Sequence, residues 1–178
     1  LDKLKTRVER RRQFEYHGNC RVRASPSGVP PMCPQTQQMK PNPELLAAYT
    51  ATSYFADIPS GRVALRIGEP AIELNDILIE NEVGSWAFIT ACNPKSKKAP
   101  EAANKKHLLE LEELLKDREL IYFPGEGIGD ARAWPCESSF LILGINLDEG
   151  IEIARTFGQH AIVFGRFNKP AQLVWVNE

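Results

Sequence analysis

"SWAFITACNPKSKKAPEAANKKHLLELEELLKD", residues 85–117, decides between the fold classes open to this chain. An apolar run, 86–89, breaks off into Thr90, Ala91, Cys92, Asn93 and Pro94. A Lys-rich loop follows, and Pro100 with Glu101 then opens a helix in the manner of a first turn. Leu108, Leu111, Leu114 and Leu115 recur at intervals of three and four, the spacing of a helix with one buried face. The stretch therefore reads as a strand over 85–92, a polar loop and a long helix.

Toward the C-terminus, "ELIYFPGEG" (119–127) reads as a strand that ends in glycines. "ESSFLILGI" (137–145) is almost wholly apolar and therefore central in a sheet. "LDEGIEIARTFGQH" (147–160) reads as a helix with Asp148 and Glu149 in its first turn, and 161–167 and 171–176 close as a hairpin around Asn168, Lys169 and Pro170. Toward the N-terminus, 49–58 and 62–68 form a hairpin through Pro59, Ser60 and Gly61, with short helices expected at 44–48 and within 71–82. From 85 to 164 the order is strand, helix, strand, strand, helix, strand. This predicts an α+β fold with a ferredoxin-like split β-α-β core, added β-hairpins, and a mostly antiparallel sheet with helices on one face.

Residues 1–43 differ in character. Residues 1–40 carry nine Lys or Arg against three acids, and 41–178 carry thirteen against twenty, so a net charge of −1 conceals a basic arm and an acidic body. The arm opens with a short amphipathic pattern and continues Pro-rich without either period, as an extended linker does. The expected organisation is a basic, Pro-rich arm over 1–43 and a single α+β domain over 44–178. With 43% hydrophobic residues, no apolar run of membrane-spanning length and none near Leu1 resembling a signal peptide, the chain reads as cytoplasmic, without a membrane partner. Four cysteines in no compact framework are expected to be reduced.

Four polar clusters fall at strand or helix ends: 90–94, 124–130, 134–138 and 157–160. The second and third share a long connection between two strands, and such loops are often functional. Asn93 offers an amide to orient a ligand or oxyanion, with Pro94 holding it extended; the plainer alternative is a turn residue bonded to its own loop. Glu126, between glycines, and Glu137, at the start of a buried strand, could serve as acid and base or as hard ligands for a divalent cation. Equally, Glu126 could be solvated and Glu137 paired with Arg66 or Arg132. Gln159 after Gly158 fits ordinary helix-stop chemistry unless it meets the other clusters in space. Cys92 as a nucleophile would need His107 or His160, and neither has supporting spacing. His17, Cys20 and Cys33 supply three zinc ligands without an obvious fourth, so no metal site is assigned. The sheet lacks the exposed aromatic signature of an RNA-recognition surface.

At "AFITACNP", "FPGEG", "WPCESSFLILGI" and "FGQHAIVFG", in that order, the chain resembles an uncharacterised bacterial family, domain of unknown function 3293, over about 44–178. The resemblance implies no activity or cofactor. It does imply a shared site for the residues inside those motifs: Asn93, Glu126 and Glu137 as catalytic candidates, and Thr90, Gly125, Gly127, Trp134, Ser138 and Gln159 as ligand-binding ones. Two functions remain open. In one, the clusters converge on a small polar ligand, phosphorylated or not, with acid–base or metal-assisted chemistry. In the other, a non-enzymatic module uses its basic arm to recruit nucleic acid or an acidic protein.

Overall fold

The computed structural model of the protein describes residues 42–130 and 135–176, so the basic arm and the zinc candidates within it fall outside the described residues. The first helix, α1 (Pro43–Thr50), is capped by Asn42, whose side-chain oxygen accepts the Glu44 N–H at 2.9 Å, and starts on a proline whose missing donor is not needed there. It runs into β1 (Thr52–Ile58), which returns as β2 (Gly61–Leu65). A 3₁₀ turn (Ile72–Leu74) and α2 (Asn75–Glu80) lead to β3 (Ser85–Ile89) and α3 (Glu101–Asp117). Then come β4 (Ile121–Gly129), β5 (Glu137–Leu143), α4 (Leu147–Thr156), β6 (Ala161–Arg166) and β7 (Gln172–Trp175).

The fold is α+β: one seven-stranded sheet, antiparallel at every pairing, in the order β2-β1-β4-β5-β3-β6-β7. The sheet curls until its two edges meet at one end. Ile67, just past β2, bridges Ala171, just before β7, and the Gly68 N–H donates to the Ala171 carbonyl at 2.8 Å.

Side chains alternate between the two faces of each strand. Tyr54, Trp86, Phe88, Leu141 and Val163 gather on the inner face of the curl, where Leu74, Ile77 and Leu78 cover one end. Ala87, Ile89, Phe140, Ile142 and Ile162 take the outer face, under Leu111 and Leu115 of α3 and Ile153 and Ala154 of α4. The two long helices thus share one face as expected, whereas the 3₁₀ turn and α2 pack on the other.

Two strand boundaries differ from expectation. β3 stops at Ile89, and β4 runs on through "PGEGIG" to Gly129, so the connection to β5 is only 130–136. The glycines do not break the strand because partners flank it on both sides: Gly127 lies opposite Tyr54 of β1 and Glu137 of β5. Among the described residues no helix is long and apolar enough to cross a membrane.

Gly165 and Gly129 test this packing from opposite sides. A Cβ on Gly165 would overlap the indole of Trp86, its partner across the ladder, whereas one on Gly129 would meet nothing within 4 Å. In denaturant unfolding, Gly165→Ala should lose about 1–3 kcal/mol or more to overpacking, while Gly129→Ala should stay within about 0.5 kcal/mol of the parent or rise slightly.

Candidate functional site

The inner face is filled at one end by Leu65, Leu74, Leu78 and Trp86, none more than 1% exposed. At the other end lies a cavity of about 300 Å³. It exists because the residues facing it are small: Gly127 and Gly129 of β4, Ser139 of β5 and Ala161 of β6. Tyr54 and Phe88 form its apolar floor, their rings edge to face with centroids 5.4 Å apart. Leu45, Ala48 and Tyr49 of α1 close over it, and the Tyr49 ring stands edge-on to Trp175.

Thr90, Asn93, Gly127, Glu137 and Gln159, drawn from all four polar clusters, line this one cavity. Asn93 is 4% exposed and organises the rest. Its Nδ2 donates to Glu137 Oε1 at 2.5 Å, and its Oδ1 accepts from the Ala99 N–H at 2.9 Å and from Asn104 Nδ2 at 3.0 Å. Its own N–H donates back to Asn104 Oδ1 at 2.8 Å. Pro94 was expected to hold Asn93 extended, but its φ and ψ are 48° and 57°, in the left-handed region. Asn tolerates that region better than most residues, and the hydrogen bonds on both sides of the amide outweigh the bias imposed by the following proline. Lys95 (φ 56°) and Ser96 (φ 52°) are left-handed too, which is strained for residues with a Cβ.

The loop is fastened to the end of α4. The Lys95 N–H donates to the Gly158 carbonyl at 2.8 Å, and Gln159 Nε2 donates to the Cys92 carbonyl at 2.9 Å and to that of Phe157 at 3.3 Å. Gln159 therefore does more than stop a helix. Ser96 in turn is hydrogen-bonded to the Tyr49 hydroxyl. Burial above all, with the negative charge of Glu137 adding to it, pushes the Tyr49 hydroxyl up from its ordinary value. Burial likewise raises Tyr54, whose hydroxyl donates to the Tyr49 carbonyl at 3.0 Å.

The sheet's period of two separates the other candidates from these. Glu137 pairs with Gly127, and Glu126 pairs with Ser138, so Glu126 and Ser138 face outward where Glu137 and Gly127 face inward. The two carboxyls expected to work as acid and base stand on opposite faces of the sheet. Glu126 instead pairs with Arg62 and accepts from the Cys136 thiol at 2.7 Å. The Cys136 bond first and Arg62 second hold its carboxyl below the usual range. Arg66, a partner considered for Glu137, binds Asp130 through two bonds of 3.0 and 3.1 Å. Ser138 contributes only its carbonyl, which accepts from the Thr90 hydroxyl at 2.7 Å and from the Cys92 thiol at 3.6 Å. Gly125 lies under Phe88, away from the open part of the cavity: a Cβ there would be 2.8 Å from the ring. Trp134 and Arg132 fall outside the described residues. Cys92 is buried with no histidine on its sulfur, and burial raises its thiol pKa. Among the described residues no three His, Cys, Asp or Glu side chains assemble as a metal site.

Tyr49, Ser96, Asn104 and Ser139 belong to the site and were not singled out from sequence. Alternate glycines in "GEGIG" were the available signal, because residues two apart on a strand share a face and three such glycines leave that face empty.

Replacing Asn93 by Ala removes its three side-chain hydrogen bonds, to Glu137, to Asn104 Nδ2 and to the Ala99 N–H, and puts at positive φ a residue that tolerates that region less well than Asn. Stability in urea should fall by about 2 kcal/mol or more. Cys136 is exposed yet its thiol is pushed up to about 11, by desolvation first and by Glu126 second. Iodoacetamide labelling mapped to Cys136 should therefore be slow at pH 8 and rise as pH approaches about 11. Glu126→Gln should move that profile to lower pH.

Residues 89–162, from the end of β3 into β6, match a family described as a protein of unknown function, DUF3293. The segment is shorter than the 44–178 expected from the motifs. It carries Thr90, Asn93, Gly127, Glu137 and Gln159 but not α1 or β1, which supply the roof and part of the floor. No curated protein and no solved structure matches the chain. Over 89–162 the chain is thus similar to the DUF3293 family, through the segment that contributes most of the polar wall of the cavity.

Proposed function

We propose that this domain binds a small ligand in the cavity at the open end of its inner face, with Glu137 as the polar anchor and Tyr54 and Phe88 as the apolar floor. One observation carries this reading: a carboxyl side chain is fixed by Asn93 at the wall of a space that the chain leaves unfilled by placing glycines at 127 and 129. Ligand sites are typically concave, mostly apolar and furnished with a few fixed polar groups, in volumes from about 300 Å³ upward. Asn93 and Gln159 act here as positioning residues, since their amides are bonded to the loop and to Glu137. Acid–base work by a Glu126–Glu137 pair is not part of the proposal, because the sheet lies between them. The order β4-β5-β3-β6, with α3 after β3 and α4 after β5, supports describing the centre of the sheet as the ferredoxin-like split β-α-β unit.

Thermal unfolding of the full chain against nucleosides, sugar phosphates, organic amines, divalent cations and short nucleic acids tests the proposal. A cavity ligand at a hundredfold excess over its Kd should add about 2.7 kcal/mol of stability. The same compound should leave Gly129→Val unmoved, because that side chain occupies the open space. A compound that shifts both proteins alike binds elsewhere and counts against the cavity. Stabilisation by nucleic acids alone would favour recruitment through the basic arm.

A further inference from the structure

We infer that the cavity takes a flat, uncharged aromatic compound, the size of two fused rings and carrying a single hydroxyl or N–H. The inference rests on the cavity being the binding site and names the class of molecule that fits it. The volume of about 300 Å³ is that of about ten waters, room for two fused rings and little more. Three of the side chains around it, Tyr49, Tyr54 and Phe88, are aromatic, and Leu45, Ala161, Val163 and Leu173 add apolar surface.

Flatness follows from the floor and from β4. The Tyr54 and Phe88 rings meet at 68° with centroids 5.4 Å apart, which makes a corner and not a parallel pair. A ring entering that corner can stack offset on one of them and stand edge-on to the other, the two arrangements that aromatic pairs prefer. Beside the corner runs the bare backbone of Gly127 and Gly129. A Cβ on Gly127 would lie 3.8 Å from the Tyr54 ring, an ordinary contact, so a methyl there fits the protein and narrows the space over that ring. A Cβ on Gly129 would meet nothing within 4 Å. The two glycines keep open a slot beside aromatic rings, and a thin molecule uses it best.

Charge is disfavoured in both signs. Among the described residues that line the cavity there is no Lys, Arg or His to meet an anion. The two acids are already bonded, Asp130 through both oxygens by Arg66 and Glu137 by the Asn93 amide, so neither is an idle counter-ion for a cation. An ion of either sign would lose its hydration without replacement. Burial already raises the Tyr49 and Tyr54 hydroxyls, the direction expected of a space that penalises charge. A neutral O–H or N–H meets no such cost. The Tyr49 and Ser96 hydroxyls, bonded to each other, can each donate or accept. A carboxylate has about four acceptor positions, so Glu137 can take a neutral donor alongside the Asn93 bond.

Naphthol, naphthoate, naphthylmethylammonium and decahydronaphthol, each substituted at the same ring carbon, are similar in size and differ in charge or flatness. Calorimetric titration of the full chain with all four at neutral pH therefore separates the two properties. Naphthol should bind about tenfold or more tighter than either ion, and about fivefold or more tighter than its saturated counterpart. Gly129→Val should abolish naphthol binding, and Gly127→Ala should weaken it, because both fill the slot. If either variant fails to fold, the charge and saturation series on the parent protein decides. An ion or the saturated alcohol binding as tightly as naphthol, and lost in Gly129→Val, overturns the flat neutral class and leaves the cavity reading standing. Naphthol binding that survives Gly129→Val overturns both, and no naphthol binding overturns the inference alone.

Discussion

Three side chains that are missing determine the ones that matter. Gly125, Gly127 and Gly129 take successive inward positions on β4, and each absence is used differently. At Gly125 the space is taken by Phe88, whose ring lies closer to the backbone than a Cβ would permit and so forms a flat floor. At Gly127 the gap leaves Tyr54 and Glu137, its partners on either side, facing a common space. At Gly129 nothing enters, and the cavity remains. A glycine inside a strand costs about 0.5–1 kcal/mol against alanine, and β4 offsets this by being hydrogen-bonded on both edges along its glycine-rich half.

The mouth of the cavity depends on one buried amide. Asn93 joins the loop after β3 to the first turn of α3 through Asn104, and to β5 through Glu137. From the same loop, Lys95 and Ser96 reach the end of α4 and Tyr49 of α1. Left-handed backbone at residues with a Cβ costs of order 1–3 kcal/mol each, and it persists because bonds from four elements fix the loop. The consequence is a carboxyl whose position is set by the fold and not by its own flexibility. That condition suits a group required to meet a ligand in one orientation.

Helix and strand types were legible because long apolar periodicities report burial directly: α3 follows from its leucines, and the central place of β5 from its unbroken apolar run. The convergence of 90–94, 137 and 159 was foreseeable from their common location at element ends. What escaped was governed by facing. Glycine and proline in "PGEGIG" suggest a loop locally, yet strands on both sides hold the segment extended, and no local propensity encodes those neighbours. Once 124–129 is a strand, Glu126 must face away from its glycine neighbours, which the loop reading could not reveal. Asn104 lies eleven residues from Asn93 and pairs with it only because α3 starts against the loop.

The separation of the two carboxyls bears on chemistry as well as position. Outside the sheet, Glu126 answers to Arg62, and desolvation first and Glu126 second hold the Cys136 thiol in its protonated form. Inside, the two phenols are also held protonated: Tyr49 and Tyr54 are both raised, in each case by burial first, as is the Cys92 thiol, which lies outside the cavity. Activated nucleophiles require the reverse, a neighbouring base or positive charge that lowers their pKa. Among the described residues, the lining side chains carry no positive charge. A wall that keeps its phenols protonated and fixes one carboxyl through a buried amide is built for position, and it lacks the surroundings that would activate a nucleophile.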